Sequence, residues 1–214
     1  MSKLRVQIAV SLDGYVAGPN QSEEDPLGEG GEQLHEWMFP LAAFREQHGE
    51  QGGEVNASTA IVEEMFEGVG AGIMGRNMFG PVQGGDWGDR SWKGWWGDDP
   101  PYHMPVYVLT HHEREPLEME GGTTFHFVTD GIDSALEQAR SAAGDQDVLI
   151  NGGASVIRQY LAAGVVDELT LSIAPLLLGE GEPLFDETTS DLKLEQLRAV
   201  EAPGVAHLKY RVVR

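Results

Sequence analysis

Three segments of the sequence place residues that bind anions directly after a short apolar run. In the first, the run Val148–Asn151 leads into Gly152 and Gly153 and then into Ala154 and Ser155, where a helix is predicted to begin. Glycine permits close backbone approach and positive φ, and the amides that begin a helix attract phosphate groups. This segment could therefore hold a pyrophosphate. A tight strand-to-helix turn without a ligand is the alternative, because one Gly-Gly pair is a weaker motif than GxGxxG.

The second segment is Ile73–Met78, in which Gly75 and Arg76 follow an apolar pair. A guanidinium group presents a planar set of donors that suits a phosphate, so Arg76 at the end of a predicted strand could clamp one. The alternative is a surface ion pair, since the chain has 35 acidic residues against 14 basic ones.

The third segment is Val106–His112, whose apolar run is followed by Thr110, His111 and His112. A hydroxyl group and an imidazole at this position suit the 2′-phosphate of an adenosine ribose. The alternative is a pair of solvent-exposed loop histidines. We expect no metal site here, because neighbouring residues of an extended chain point to opposite faces.

Strands and helices alternate along most of the chain, which predicts the elements that would position these segments. Apolar runs indicate strands, and apolar residues at intervals of three and four indicate helices. The predicted strands are Leu4–Leu12, Ala71–Met74, Pro105–Thr110, Thr124–Thr129, Val148–Asn151 and Val166–Leu178. The predicted helices are Gln33–Gln47, kinked or split at Pro40, and Ser58–Glu67, Ile132–Ala143 and Ala154–Ala163.

This alternation predicts an α/β fold with a mostly parallel central sheet covered on both faces. Leu192–Val200 and Val205–Val213 flank a Pro203-Gly204 turn, so an antiparallel pair is expected at the C-terminal edge. Ligands of such sheets bind beyond the carboxyl ends of the strands. Three strand ends with anion-binding residues therefore predict one extended dinucleotide laid across the sheet edge.

The composition predicts one domain that binds neither nucleic acid nor membrane. The chain has 214 residues, enough for one substantial core. Its net charge of −21 disfavours binding to nucleic acid or to anionic membranes. The absence of cysteine excludes disulfides and thiolate chemistry, and no apolar stretch reaches the roughly 18 residues of a membrane span. We expect a cytoplasmic protein.

Several segments together carry the pattern of a known family. These are Ser11–Gly18, Met74–Met78, Asn151–Ser155, Leu161–Leu169 and Ala174–Phe185. They resemble the dihydrofolate reductase-like superfamily, and within it the C-terminal reductase domain of the riboflavin-biosynthesis deaminase–reductase, here as a stand-alone chain. In the second segment a methionine replaces the threonine of the family's Gly-Arg-x-Thr.

The resemblance implies a three-layer fold over residues 1–214 and an NADPH-dependent reductase of a small heterocycle. The reference reaction is the reduction of 5-amino-6-(5-phosphoribosylamino)uracil. The residues implied at the cofactor are Ala9, Val10, Val16, Ala17, Gly75, Arg76, Asn77, Met78, Thr110, His111, Gly152, Gly153, Ala154 and Ser155. The first four would flank the nicotinamide, and the last four would hold the pyrophosphate.

The resemblance leaves the proton donor open. Dihydrofolate reductases use an acidic residue of the first helix, where this chain has Glu32 and Glu36. Asp13, at the end of the first strand, is the other catalytic candidate. Its alternative role is that of a turn residue that bonds nearby amides. Trp37 would lie on the substrate side, by analogy of position.

The segment Phe79–Met104 contains four tryptophans and is predicted to be a loop. Its aromatic side chains could stack on the substrate, or the loop could close as a lid. We expect instead that these side chains form a small core under the loop or a homodimer contact. A substrate phosphate would need a cation, and the candidates are Arg90, Lys93 and Arg158. The other functions considered are a dihydrofolate or pterin reductase, a non-catalytic nucleotide- or flavin-binding module, and a metal hydrolase built on the two histidines of the third segment.

Overall fold

A computed structural model describes residues 2–80, 87 and 92–213; Arg90 lies outside these residues, as does much of the tryptophan segment. Within the described residues, nine strands form one sheet and two form a small separate sheet. The strands are β1 (Leu4–Ser11), β2 (Tyr15–Ala17), β3 (Val69–Gly75), β4 (Pro105–Leu109), β5 (Leu117–Glu118), β6 (Thr124–Val128), β7 (Asp147–Gly152), β8 (Glu168–Ala174), β9 (Glu182–Pro183), β10 (Lys193–Ala202) and β11 (Val205–Val213).

The order of strands across the large sheet is β10-β11-β8-β1-β7-β3-β4-β6-β5. The six strands from β8 to β6 run parallel to one another. β10, β11 and β5 are antiparallel additions at the two edges. The predicted α/β fold, mostly parallel with an antiparallel C-terminal edge, is therefore confirmed. β10 and β11 join through the expected turn, where Gly204 has a φ of 73° that favours glycine.

The described residues form five α-helices: α1 (Ala42–Gln47), α2 (Thr59–Glu63), α3 (Arg76–Phe79), α4 (Gly131–Ala143) and α5 (Ala154–Ala162). Short 3₁₀ turns occupy Gly31–Leu34, Glu120–Gly122 and Glu187–Thr189. Across the described ranges, every helix is too short or too polar to cross a bilayer.

One face of the sheet packs against α4 and α5. Successive strand residues point to opposite faces, so β1 directs Leu4, Val6 and Val10 into this core cluster. From the helix side, Ala135 and Ala139 lie one turn apart on α4 and are buried against the strands. An apolar stripe of this kind is what holds a surface helix on a sheet.

The opposite face carries a second cluster that is rich in aromatic side chains. Met74 of β3 packs there against Phe79 and Trp87. The Trp87 ring is buried, and the indole N–H of Trp92 donates to the carbonyl of Phe79 at 2.9 Å. These two tryptophans therefore pack as part of the fold, which was the first of the two roles expected for this segment.

Prolines end two of the predicted elements. Of the two outcomes expected for Gln33–Gln47, the structure shows the split: a 3₁₀ turn and α1 lie on either side of Pro40, whose carbonyl accepts a hydrogen bond from the amide of Glu54 at 2.7 Å. The strand predicted over Val166–Leu178 is too long, because β8 ends directly before Pro175. A proline has no amide hydrogen to continue the ladder.

Candidate active site

The three predicted anion-binding segments lie side by side at one edge of the sheet. β7, β3 and β4 are neighbours, with Met74 opposite Gly152 and Gly75 opposite Leu109. The residues at the ends of all three strands line one cleft of about 1010 Å³. The predicted cofactor residues that line this cleft are Ala9, Val16, Ala17, Gly75, Arg76, Asn77, Met78, Thr110, His111, Gly152, Gly153, Ala154 and Ser155.

The ends of β3 and β7 approach each other more closely than larger residues would allow. A Cβ atom on Gly75 would lie 3.0 Å from Val156 Cγ2 and 3.6 Å from the amide nitrogen of Gly153. Gly152 has a φ of 132°, and a Cβ there would lie 3.1 Å from Met78 Sδ. Two of the predicted segments therefore meet through their glycines, and the peptide bond between Gly152 and Gly153 is cis.

The amino end of α5 opens onto the cleft. Gly153 precedes the helix and offers no side chain to cap it, and its carbonyl accepts from the amides of Val156 and Ile157, both at 3.1 Å. The amides of Ala154 and Ser155 come before the first bond of the helix ladder. Both residues line the cleft, so this end of the nine-residue helix suits an anion.

Two arginines place positive charge beside the same strand ends. The Arg76 guanidinium lies 3.9 Å from the ring centroid of Trp87, and that of Arg114 lies 5.0 Å from it. Burial lowers the pKa of Arg76, and the charge of Arg114 adds to this effect. An arginine nevertheless keeps its proton at neutral pH. The sequence analysis missed Arg114, because its position between two glutamates indicates only a solvated charged loop.

The predicted nicotinamide pocket is apolar. Ala9, Val16 and Ala17 line it, and each is at most 7% exposed. Val10 does not belong to this lining. It packs on the α4 and α5 face instead, because adjacent residues of β1 alternate between the two faces of the sheet.

Asp13 lies outside the cleft lining and joins its own turn to the loop that follows β8. Its carboxylate accepts hydrogen bonds from Ser11 Oγ at 2.6 Å and from the amides of Gly179 and Leu178 at 2.7 and 3.2 Å. The bond from Ser11, assisted by these amides, holds the pKa of Asp13 below its usual range. A carboxylate stabilised in this way accepts protons poorly, so the geometry matches the turn role rather than the catalytic role.

The acidic residues before Trp37 differ in their access to the cleft. Glu36 is exposed and lies outside the lining, whereas Glu32 is exposed and lines it. His35 also lines the cleft with its Nδ1 atom buried, and burial lowers the pKa of this side chain. Glu36 is therefore not placed to donate a proton to a ligand in the cleft, because the residues preceding Trp37 form turns and not the continuous helix of the prediction.

Trp37 lines the cleft, as its predicted substrate role requires. Its indole N–H donates to the carbonyl of Leu34 at 2.9 Å, and its ring meets that of His207 edge to face with centroids 4.8 Å apart. These contacts hold the ring in one orientation.

Sequence analysis did not identify a buried polar chain behind this tryptophan. Ser172 Oγ lies 2.9 Å from His207 Nδ1, and Ser58 Oγ lies 2.8 Å from His207 Nε2. All three residues are at most 2% exposed. Ser172 lines the cleft and lies opposite Ala9 in the pairing of β1 with β8. Burial lowers the pKa of His207 to about 4, so its ring is neutral at pH 7.

The pattern of nearly the whole chain matches one known family. Residues 2–207 match the RibD C-terminal domain. The chain belongs to this family. The predicted resemblance is thereby confirmed, and the order of strands and helices is that of the RibD-type, dihydrofolate reductase-like fold.

Known proteins resemble this chain in sequence or in structure. The curated relative YyaP, an uncharacterized protein of Bacillus subtilis (strain 168), is 29% identical over 118 residues, which are 53% of this chain and 62% of YyaP. The chain thus spans less than two thirds of that relative's length. A Shewanella sp. PV-4 protein provisionally assigned to riboflavin biosynthesis is 24% identical, with a TM-score of 0.65 and full coverage of both chains. RibD of Acinetobacter baumannii is 17% identical, with a TM-score of 0.60 over all of this chain and 59% of RibD.

Within the described part of the chain, no three His, Asp or Glu side chains converge on a point where a metal ion could bind. His111 and His112 both line the cleft. The hydrolase alternative needs a carboxylate beside them, and the described residues do not supply that arrangement.

Proposed function

We propose that this RibD C-terminal domain protein reduces a small heterocyclic substrate with NADPH. The observation that carries the proposal is the side-by-side arrangement of the strand ends of β7, β3 and β4 around one cleft. Amides, a cation and an apolar pocket follow one another there, which suits the phosphates and the nicotinamide ring of one extended dinucleotide.

The residues present fit this cofactor. Gly153 and the amino end of α5 would hold the pyrophosphate, because Gly153, Ala154 and Ser155 line the cleft and the space beside Gly153 is open. Arg76, with Thr110 and His111, would bind the adenosine phosphates. When bound, NADPH supplies the hydride. The contribution of the chain is to orient the ring against Ala9 and to exclude water from it.

Reduction of a C=N or C=O bond also needs a proton. Glu32 and His35 line the cleft on the same segment as Trp37. We assign proton delivery to this segment in place of Asp13 and Glu36, since both of those carboxylates lie outside the lining. Hydrogen-bond reach to the substrate is the first requirement for such a group.

Calorimetry with NADPH tests the proposal directly. We expect binding, followed by substrate-dependent loss of NADPH absorbance when pterins and ribosylaminopyrimidines are added. Absence of any heat with either redox form of the cofactor would contradict the proposal. Tight binding without consumption by any substrate would instead favour a non-catalytic nucleotide-binding module.

We also propose that the protein is a homodimer, since exposed strand edges and aromatic segments favour self-association. Sedimentation equilibrium tests this independently of activity. A molecular mass near 23.3 kDa at all concentrations would contradict it.

A further inference from the structure

The cleft has a cationic end and an acidic end. Arg76 lies at the end of β3, whereas Glu24 and Asp25 line the part formed by the loop after β2. Backbone hydrogen bonds hold this loop in place, among them one from the amide of Gly18 to the carbonyl of Leu27 at 2.8 Å. The two carboxylates are therefore built into the cleft.

This polarity decides where phosphate groups can lie. Like charges repel over about 10 Å at moderate ionic strength, so the cofactor phosphates belong at the Arg76 end. The part of the cleft around Trp37 and Glu32 remains for the substrate, and there a phosphate monoester would meet carboxylates. Among the described residues of the lining, Arg76 is the single arginine or lysine.

The two described cations that were candidates for a substrate phosphate already bind acidic partners. Lys93 Nζ lies 3.0 Å from a carboxylate oxygen of Asp98. The Arg158 guanidinium lies 3.2 Å from Asp186, and it donates to the carbonyl of Pro183. Neither side chain lines the cleft. Their positions thus leave neither of them to bind a phosphate group on the substrate.

The cleft lining is rich in aromatic side chains, and Phe44 lies there with Trp37 on the substrate side. Trp37 and Phe44 come from one apolar cluster, and Phe66, Trp96 and Tyr102 come from another. The rings of Phe66 and Trp96 each meet that of Tyr102 edge to face, with centroids 5.9 and 5.1 Å apart. Aromatic surfaces held in fixed orientations suit a planar ring.

Polar groups lie between these clusters on three neighbouring strands. Ser172 of β8, Gln7 of β1 and Asn151 of β7 line the cleft. The side-chain amide of Gln7 donates a hydrogen bond to the carbonyl of Ile61 at 3.1 Å. Ser172 is bonded to His207, whose neutral ring can donate or accept at Nδ1. The serine can accordingly offer either its proton or a lone pair to a ligand.

We propose that the substrate is a planar heterocycle without a phosphate group, uncharged or cationic, whose polar edge binds Ser172 while its faces contact the aromatic lining. This inference rests on the proposed reductase function, because it assigns the cofactor phosphates to the Arg76 end. The proposed substrate therefore differs from the phosphoribosyl compound of the reference reaction, which carries a phosphate group.

The test compares 6-hydroxymethylpterin with its phosphate ester on the protein saturated with NADP⁺. We expect the unphosphorylated pterin to bind about tenfold more tightly, because one unfavourable charge contact in a water-filled cleft has roughly this effect. The double variant Glu24→Gln, Asp25→Asn should reduce that ratio toward one. Equal or tighter binding of the ester, or failure of both pterins to bind, overturns the inference. Failure of NADP⁺ itself to bind contradicts the proposed function instead.

Two serine variants test the polar contact. Ser172→Ala and Ser58→Ala each remove one hydrogen bond to His207, but only Ser172 lines the cleft. We expect Ser172→Ala to weaken pterin binding about tenfold and Ser58→Ala to leave it within twofold. Equal effects of the two variants would show that the serine acts only through the stability of the network, and would overturn its assignment as a substrate contact.

Discussion

Arg76 and Arg114 are two cations set against one aromatic ring in a protein with a net charge of −21. The pKa of Arg76 is lowered chiefly by burial and further by the charge of Arg114. An anion between the strand ends would relieve the repulsion between the two charges. At the scale of single residues, Arg76 therefore supports the proposal that the cleft binds a phosphorylated dinucleotide.

The Arg76→Ala variant tests this preference. We expect it to weaken NADPH binding about 10- to 100-fold, since a hydrogen bond to a charged group contributes about 1.5–3 kcal/mol. NADH, which has no 2′-phosphate, should lose less than threefold. Calorimetry measures both, and Arg140→Ala, on the exposed side of α4, is the matched control. Equal losses for the two cofactors would remove Arg76 from the 2′-phosphate site.

At the scale of elements, the turn from β7 into α5 combines a conformational and a steric requirement. Gly152 has a φ of 132° and closely approaches Met78, whereas Gly153 has a φ of −78° and open space where a Cβ would lie. The two glycines therefore serve different purposes: the first permits the fold, and the second leaves room at the amino end of the helix.

Alanine substitutions separate the two purposes. We expect Gly152→Ala to lower the free energy of unfolding by roughly 1–3 kcal/mol, the usual cost of strained backbone. Gly153→Ala should leave the urea midpoint unchanged but weaken NADPH binding, because its methyl group enters the space assigned to the pyrophosphate. Unchanged NADPH affinity in a folded Gly153→Ala protein would argue against a cofactor at this turn.

The buried histidine His207 of β11, which contacts Ser172 of β8, makes the stability of the protein depend on pH. The pKa of His207 falls to about 4 on folding, below its ordinary value of 6.5. The unfolded chain consequently binds this proton more readily, so stability is full above about pH 6.5 and is lost as the pH falls toward 4.

Urea unfolding between pH 7 and pH 4.5 measures this loss. His35 and His126 are shifted in the same direction, so the comparison is between the wild type and His207→Gln. We expect a shallower decline of the midpoint in that variant, and an unchanged decline in His111→Gln, whose side chain is exposed. A wild-type midpoint that stays constant over this range would show that His207 is not buried as a neutral ring.

At the scale of the whole molecule, the negative charge opposes the cofactor that the cleft is proposed to bind. Long-range repulsion is screened by salt, whereas contacts at a partly buried arginine are screened much less. Added salt should therefore accelerate the encounter without removing the local attraction.

Stopped-flow binding of NADPH tests this balance. We expect the association rate constant to rise several-fold between about 10 and 150 mM salt. Adenosine, which is uncharged, should show no such dependence. A decrease with salt would mean that the local cations dominate the field at the cleft entrance.

Much of the site could be predicted because each strand end is a local pattern. Gly75 with Arg76, and Gly152 with Gly153, stand within a few residues of the apolar run that forms the strand, so their position at its carboxyl end follows from chain order. That these ends face one edge of the sheet follows from the parallel arrangement, whereas the position of β7 between β1 and β3 was decided by the tertiary structure. The roles of Asp13 and Glu36 could not be predicted in this way, because the direction of a side chain in a turn depends on the residues that pack against it.

The sequence by itself determined the fold class and the residues that emerge at the strand ends, since hydrophobic period and turn chemistry are encoded locally. Only the tertiary structure decided which polar groups meet at the cleft and behind it. Ser172 meets His207 across 35 positions, and His207 meets Ser58 across 149. Contacts of that separation depend on how strands pair and layers pack, and no local pattern along the chain specifies them.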